Sequence, residues 1–411
     1  MYSGGSVLRI AYFVHDVTDP AVGRRVRMLK AGGADVTVLG FRRSDMQLAD
    51  LEGVSALDLG RTYDSRLAQR AWKVIERRMS LGPGHLAVRD ADILLARNLE
   101  MLAIASAAQR KHAPKAALVY ECLDVHRLMF SSTIPSWFLR LLERSLMRKA
   151  RLLIVSSPAF ISQYFAPRQG VGTSWDQPVL IVENKVLQLD PPDPHQETQM
   201  PESPLGPPWR IGWFGMIRCQ RSLDILCRLA ARVPGLIEVV IRGRPARVAF
   251  ENFDAQVAST PGISFGGAYR PAELGALYGG VHFNWTIDYF EDGANSALLL
   301  PNRIYEGGPY GAVPIALART ETGRWLKRHG TGVLLDSPAD ELHSFLERLT
   351  PDAYRRLREA MKAQPRPHFI ADREDCESLV QVLALAGDQH PSGRRKVATA
   401  AVHTARSINR V

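Results

Sequence analysis

The sequence predicts an α/β protein built from two doubly wound domains that face a cleft. Apolar strand-like runs alternate with helical stretches along both halves of the chain, and a polar, proline-rich segment separates the halves. The length of 411 residues is sufficient for two hydrophobic cores. Strands that are joined through helices run parallel, and sheets of this kind bind ligands beyond the carboxyl ends of their strands.

The first half begins with a strand–helix–strand unit. Leu8 to Val14 is an apolar run that predicts a buried strand, and the apolar spacing from Pro20 to Ala31 predicts a helix. Gly32 and Gly33 end that helix, and Asp35 to Phe41 is a second run rich in β-branched residues. The alternation continues through predicted strands at 92–97, 117–121 and 152–156 and predicted helices at 99–111, 137–149 and 158–164.

The middle of the chain changes in composition. Residues 166–208 are rich in Pro, Asp, Gln and Gly, which predicts a linker that is interrupted by one strand at 179–182. The alternation then resumes, with strands predicted at 210–215, 237–243, 263–265, 282–285 and 313–316 and helices at 222–232, 272–278, 303–308 and 374–386.

These elements predict five segments. Residues 1–165 form an N-terminal Rossmann-like domain, and residues 166–208 form the linker. Residues 209–373 form a C-terminal Rossmann-like domain, and the helix at 374–386 could return to the N-terminal domain. Residues 387–411 have a basic composition with little apolar periodicity, which predicts a disordered tail.

The charge and the cysteines narrow the function classes. The formal charge of +10 favours an anionic partner, which could be nucleic acid, an anionic membrane surface or phosphorylated small molecules. The four cysteines are widely separated, which argues against a zinc site and a disulfide scaffold. No run reaches the ~18 apolar residues of a spanning helix, and no signal peptide is apparent. We therefore expect a reducing cytoplasmic compartment, with any membrane contact peripheral.

A candidate anion site follows the first strand of the second half. Gly215 ends this strand, and Arg218 and Arg221 precede the next helix. A glycine allows a ligand to approach the backbone, a helix start offers free N–H groups, and guanidinium groups bind diphosphate. The alternative is that both arginines are ordinary solvated side chains.

A candidate ribose site lies in the segment from Pro301 to Gly308. Its carboxylate, Glu306, can accept two hydrogen bonds from a ribose diol. Alternatively, Glu306 only complements the helix dipole.

These two motifs resemble the GT-B glycosyltransferases, in particular the large family that includes bacterial polysaccharide-building enzymes. The resemblance is carried by the turn from Gly215 to Ser222 and by EGGPYGAVP from Glu306 to Pro314. It implies that the C-terminal domain binds a nucleotide-sugar donor, a UDP-sugar by preference, with the arginines on the diphosphate and Glu306 on the ribose, and that the N-terminal domain binds the acceptor. The predicted donor-binding residues are Gly215, Arg218, Arg221, Gly243, Asn302, Arg303 and Glu306.

The N-terminal half resembles transferases of succinoglycan-type exopolysaccharide synthesis. The matching segments are IAYFVHDVTDPAVGRRVRMLKAGGADVTVLGFRR, which starts at Ile10, and VYECLDVHRL, which starts at Val119. Together the resemblances cover most of residues 7–385 and imply transfer of a hexose to a hydroxyl of a lipid-linked saccharide at the inner face of the bacterial plasma membrane.

The chain departs from the family at two places. Many members carry a second, sugar-facing Glu eight residues before the ribose-binding one, where this chain has Leu298. We expect the segment from Asp288 to Asp292 to supply that contact instead. The Gly-Gly pair common after the first strand is replaced by HDVTDP, from His15 to Pro20.

Acid–base candidates follow the N-terminal strands. Asp16, Asp124 and His126 are the predicted catalytic residues, because an inverting transfer needs a base on the acceptor hydroxyl. Asp19, followed by Pro20, is better explained as a helix cap, and His126 could be an ordinary loop residue. No acidic metal cluster stands at a strand end, so we expect neither a metal nor another cofactor, with arginines balancing the leaving diphosphate.

Two basic, apolar stretches indicate an anionic membrane surface as a partner. They run from Arg61 to Met79 and from Trp137 to Arg151, and the alternative is core-packed helices with solvated basic faces.

Two other function classes agree with part of the sequence. A dehydrogenase or epimerase would also use an α/β fold, but no GxGxxG follows either leading strand. A nucleic-acid-binding protein would explain the charge, but the cations are scattered and no known binding motif is present, so we expect no nucleic acid partner.

Overall fold

Two parallel sheets with their connecting helices organise the protein in a computed structural model, which describes residues 7–43, 51, 53–54, 56–62, 67–191 and 204–388. The chain divides into two units, one made of Met1–Glu183 with Ala371–Val411 and the other of Asn184–Ile370. Within the described residues, no helix combines the length and the apolar character that crossing a membrane requires.

The elements in chain order are as follows. The strands are β1 (Arg9–Val14), β2 (Asp35–Arg42), β3 (Ala56–Arg61), β4 (Ile93–Arg97), β5 (Ala117–Cys122), β6 (Ala150–Val155), β7 (Val179–Ile181), β8 (Val186–Leu187), β9 (Trp209–Ile217), β10 (Ile237–Pro245), β11 (Ile263–Phe265), β12 (Phe283–Trp285), β13 (Val313–Leu317), β14 (Val333–Leu335) and β15 (Ile370–Ala371). The helices are α1 (Pro20–Ala31), α2 (Leu67–Met79), α3 (Gly84–Arg89), α4 (Asn98–His112), α5 (Ile134–Met147), α6 (Pro158–Phe160), α7 (Gln220–Arg232), α8 (Phe253–Ser259), α9 (Leu274–Gly279), α10 (Asn295–Leu298), α11 (Asn302–Gly307), α12 (Glu321–Arg328), α13 (Pro338–Arg348), α14 (Pro351–Lys362) and α15 (Arg373–Asp388).

The sheet of the first unit has the strand order β3-β2-β1-β4-β5-β6-β7, with all neighbours parallel. The chain builds outward from β1 to β3 and then adds β4 on the other side of β1. The strand order therefore reverses between β1 and β4, which is the position where doubly wound sheets bind ligands. The central strands are almost fully buried, as expected for strands with both faces covered.

The start of α1 agrees with its sequence signal. The Asp19 carboxylate accepts a hydrogen bond from the Ala21 backbone N–H, 2.9 Å away, and Pro20 occupies the first helical position. The expectation that Asp19 caps this helix is confirmed. A cap of this kind satisfies a backbone donor that the helix itself leaves unpaired.

The C-terminal helix α15 belongs to the first unit and packs against α1. A Cβ atom on Gly32 would lie 2.3 Å from the Cys376 carbonyl oxygen, so the end of α1 requires glycine for this close approach. The Arg151 guanidinium at the start of β6 donates to the Ala386 and Gly387 carbonyls. The predicted tail begins within α15, and its residues from 389 onward lie outside the described residues.

The predicted linker at 166–208 is divided between the units. Its predicted strand, β7, pairs with β6 and forms the edge of the first sheet, and residues up to Glu183 belong to the first unit. A second strand in this segment, β8, was not predicted. The residues from Asn184 belong to the second unit, and 192–203 lie outside the described residues. Composition indicated a linker here because the segment is polar, and the strand predicted within it at 179–182 is confirmed as β7.

The sheet of the second unit has the order β11-β10-β9-β12-β13-β14, again with all neighbours parallel. Its strand order reverses between β9 and β12. The core around it is rich in aromatic side chains and includes the fully buried Trp209, Trp213 and Trp285. A separate β8–β15 pair forms a two-stranded sheet.

Candidate functional site

At the carboxyl ends of β9 and β10, two glycines are paired across the sheet. Gly215 and Gly243 are register partners, with φ values of +98° and +141° that residues with side chains rarely adopt. A Cβ atom on Gly243 would lie 1.8 Å from the Gly215 carbonyl oxygen, so a larger residue would collide with the neighbouring strand. The sheet edge is therefore bare backbone at this point, and a ligand can approach it closely.

Glu306 lies beside this edge near the end of α11. Its Oε2 accepts hydrogen bonds from the hydroxyls of Tyr278, at 2.9 Å, and Tyr269, at 3.5 Å. The Tyr269 hydroxyl is also 3.8 Å from the Cβ position of Gly215, so Tyr269 connects the two sequence motifs in space. Burial and the Glu306 carboxylate raise the pKa of both tyrosines, which keeps their hydroxyls protonated as donors.

The other two predicted donor-binding residues of α11, Asn302 and Arg303, have different environments. Asn302 is exposed at the start of α11. Arg303 is half-buried, and its guanidinium donates to the Trp285 carbonyl, 2.9 Å away, at the end of β12. The Arg303 carbonyl in turn accepts from the amide of Asn284, which is fully buried within β12. These bonds fix α11, and with it Glu306, against the sheet.

The arginines predicted to bind diphosphate are each paired with an aspartate. The Arg218 guanidinium donates twice to Asp288 Oδ2, at 3.0 and 3.3 Å, and lies over the Phe290 ring. The Arg221 guanidinium is 3.8 Å from Asp292 Oδ2. The segment that we expected to contact the sugar thus contacts the arginines, because β12 adjoins β9 and its carboxyl end leads directly to them.

The acidic candidates after β1 are engaged in local turns. Asp16 Oδ1 accepts from the backbone N–H and the hydroxyl of Thr18, at 3.0 and 2.8 Å. Such a bond pattern stabilises a turn and uses one of the two carboxylate oxygens. The structure therefore gives Asp16 a role in shaping the loop beyond β1.

His15 was not singled out from the sequence, yet it lies at the strand-order reversal of the first sheet. Its Nδ1 is 3.5 Å from the side-chain amide of Asn98, which follows β4 and has a φ of +68°. Burial, together with Arg43 and Arg97, lowers the pKa of His15 to about 3, so its imidazole is neutral at physiological pH. The available signal was its position directly after an apolar strand.

Asp124 and His126 both follow β5 and are exposed. His126 Nδ1 accepts from the Leu128 backbone N–H, 3.2 Å away, and caps a 3₁₀ turn at Arg127–Met129. Burial and the neighbouring Arg70 and Arg127 lower the pKa of His126. A neutral imidazole that accepts at Nδ1 carries its proton on Nε2, so it presents a donor to a ligand.

A buried polar network holds the ends of β1, β4 and β5 in place. The Glu121 carboxylate accepts from the Arg25 guanidinium and from the Tyr12 hydroxyl, each at 2.6 Å. Arg97 is buried and donates to the same hydroxyl at 3.3 Å. Although burial opposes its charge, Arg25 and Arg97 keep the pKa of Glu121 below its ordinary value. Among the residues described, no group of three or more His, Cys, Asp or Glu side chains is arranged to hold a metal ion.

Comparison with known proteins identifies a relative by sequence and several structures with the same fold. No established family model matches the chain. The succinoglycan biosynthesis protein ExoL of Rhizobium meliloti (strain 1021) is 45% identical over 404 residues, which is 94% of this chain and 99% of the relative. The structure of Anabaena Alr3699/HepE in complex with UDP and glucose matches with a TM-score of 0.63 and 14% identity, over 92% of this chain and 100% of that one. Sucrose-phosphate synthase from Thermosynechococcus elongatus matches with a TM-score of 0.64 and 12% identity, over 92% and 96%. The two structures confirm the predicted GT-B fold.

Proposed function

We propose that this chain moves a hexose from a UDP-sugar to a hydroxyl of a lipid-linked saccharide. The chain belongs to the family of the succinoglycan biosynthesis protein ExoL and is a glycosyltransferase of the GT-B fold. The observation that carries this proposal is the placement of Glu306 beside the glycine-lined edge of β9. A fixed, half-buried carboxylate next to bare backbone suits the ribose diol of a nucleotide. HepE, which has this fold, is described with UDP and glucose, and this supports uracil as the base.

The donor diphosphate would lie at the carboxyl edge of β9. The first N–H groups of α7 follow Gly215 there, and a helix start favours an anion. The guanidinium groups of Arg218 and Arg221 would neutralise the charge that develops as UDP leaves. In this proposal arginines do the work that a metal ion does in other transferases.

Asp124 is the best placed of the three predicted catalytic residues to act as a base. It is exposed at the end of β5, whereas Asp16 is held in its turn and His126 presents an N–H. In an inverting transfer the Asp124 carboxylate would take the proton of the acceptor hydroxyl, and His126 Nε2 would donate a hydrogen bond to the acceptor. Asp124→Asn should then lower kcat more than KM, and an unchanged kcat would exclude this role.

Binding and transfer assays together test the function. Purified protein is titrated with UDP, UDP-glucose, GDP-mannose and NAD by thermal shift, where a ligand at 100 times its Kd adds about 2.7 kcal/mol. Radiolabelled hexose transfer from each sugar nucleotide to a bacterial lipid extract is measured in parallel. Glu306→Gln should lose UDP binding, and Glu347→Gln on the exposed side of α13 is the matched control. Binding of NAD alone, or conversion of a UDP-sugar to an isomer without transfer, would contradict the proposal.

The first unit also carries exposed apolar residues suited to a membrane surface. Trp137 and Phe138 on α5 are 52% and 61% exposed, with Leu141 one turn further on. Trp72 and Met79 are exposed on α2, and both helices pack against α4. Aromatic and leucine side chains of this kind insert at the lipid interface, which would place the enzyme at the inner face of the plasma membrane.

Liposome sedimentation tests this docking. The wild-type chain should sediment with vesicles of phosphatidylglycerol and phosphatidylethanolamine, and the double variant Trp137→Ala/Phe138→Ala should bind at least tenfold more weakly. Val248→Ala, at an exposed position of the second unit, is the control. Equal binding of the double variant and the wild type would show that this face does not dock.

A further inference from the structure

Three neighbouring strand ends in the second unit bring arginines and aspartates together. Arg218 and Arg221 follow β9, Asp288 and Asp292 follow β12, and Arg319 follows β13. These strands are adjacent in the sheet, in the order β9-β12-β13. The group therefore spans the strand-order reversal, where a doubly wound sheet binds its ligand.

Asp292 lies between two of these arginines. Its two carboxylate oxygens each accept from Arg319 Nη2 at 3.1 Å, and its Oδ2 is 3.8 Å from Arg221 Nη1. The Arg221 guanidinium also lies over the Tyr289 ring, 4.2 Å from its centroid, which fixes its position. Guanidinium groups hold a carboxylate in the same way that they hold a phosphate group.

We infer that Arg319 binds the donor diphosphate together with Arg221, and that Asp292 competes with the diphosphate for these two guanidinium groups. This inference rests on the proposed UDP-sugar donor. It adds a binding residue that no sequence motif indicated, and it makes Asp292 a residue that limits donor affinity.

Solvent exposure distinguishes Asp292 and its two arginines from the neighbouring pair of Arg218 and Asp288. The Asp292 side chain is 35% exposed and both of its arginines are at least half exposed, so water and a phosphate oxygen can reach the contact. The Asp288 side chain is only 9% exposed and holds Arg218 with two hydrogen bonds, so that pair stays together and positions Arg218. Exchange of partners is therefore expected at Asp292.

The other arginines near this strand end are already committed. Arg324 and Arg328 on α12 both pair with Glu321, whose side chain is almost fully buried. Breaking those pairs would leave a buried carboxylate without its cations, which is strongly unfavourable. Of the three arginines after β13, Arg319 is thus the one that can change its partner at low cost.

Isothermal titration of the full chain with UDP and with uridine tests the inference. Asp292→Asn keeps the size of the side chain and removes its charge, so UDP should bind about tenfold more tightly, whereas Arg319→Ala should weaken UDP about tenfold. Uridine has no diphosphate, and its affinity should be the same in all variants. Asp352→Asn, which removes a comparable exposed partner of Arg355 on α14, is the control and should leave UDP affinity unchanged.

The outcomes separate this inference from the proposed function. If the folded wild-type chain does not bind UDP, the proposed donor is wrong. If it binds UDP but Asp292→Asn has unchanged or weaker affinity, Asp292 does not compete and the inference is wrong. Equal weakening of UDP and uridine by Arg319→Ala would show a structural effect, and would also overturn the assignment of Arg319 to the diphosphate.

Discussion

Removal of one hydroxyl group, in Tyr278→Phe, should selectively weaken the ribose contact of the donor site. The Tyr278 hydroxyl donates to Glu306 Oε2 at 2.9 Å, and its ring is fully buried between Phe214 and Tyr310. Phenylalanine fills the same space, so no cavity forms, and the change is confined to the orientation of the carboxylate.

The expected size follows from the bond that is lost. A hydrogen bond to a charged group contributes about 1.5–3 kcal/mol, and Glu306 keeps the longer bond from Tyr269. We therefore expect a loss near the lower limit, about 1.4 kcal/mol, which corresponds to about tenfold weaker UDP binding.

The assay compares UDP with 2′,3′-dideoxy-UDP by isothermal titration. The dideoxy nucleotide cannot bond to Glu306, so Tyr278→Phe should leave its affinity unchanged and reduce the discrimination between the two nucleotides. Tyr120→Phe is the matched control, since it removes a hydroxyl bonded at 2.8 Å to the buried Glu143 in the first unit. Equal weakening of both nucleotides, or no weakening of UDP, would refute the positioning of Glu306 by Tyr278.

Three further predictions concern stability and are checked by thermal and urea unfolding. Gly243→Ala should lower Tm strongly and abolish UDP binding, because its Cβ atom collides with the neighbouring strand. Gly235→Ala, also at positive φ but with open space around it, is the control and should have a small effect. Equal effects of the two variants on Tm would contradict the collision. Arg25→Met should cost about 3 kcal/mol because the buried Glu121 loses its closest cation, and a cost below about 1 kcal/mol would show that the remaining partners suffice. Burial raises the pKa of Glu143, so its contribution to stability is present below the unfolded-state pKa and is lost as the pH rises through the folded-state pKa. Glu143→Gln should remove this loss of stability. An unchanged pH profile of stability in this variant would contradict the prediction.

The sequence was sufficient for the fold class because the central strands are long apolar runs. Strands β1, β5 and β9 are buried nearly throughout, and burial on both faces leaves that pattern in the sequence. Two edge strands, β3 and β14, were not predicted, although the three-residue edge strands β7 and β11 were. β3 has the mixed sequence ALDLGR, and β14 is short, so each depends on pairing with its neighbour more than on its own composition.

A residue of the candidate site could be predicted only where its neighbours in the sequence also indicate its function. Glu306 was found because glycines and a strand follow it directly. Tyr278 and Asn284, which fix its position, come from other segments and reach it through the strand order. The signal for Asn284 was an amide within the apolar strand HFNW, and its significance depends on knowing that the strand is buried.

The same limitation applies to reading anion binding from a count of basic residues. Arg70, Lys73 and Arg77 on α2 suggested contacts with lipid head groups, but the structure pairs all three with acidic side chains, and the third also donates to a backbone carbonyl. A cation that is already paired gains little from a new anion, because one favourable contact replaces another. Docking through Trp137 and Phe138 should therefore be mainly apolar, and liposome binding should decrease only slightly as salt is raised. A steep dependence on salt would mean that the paired cations exchange partners at the membrane, as we infer for Arg319 at the donor site.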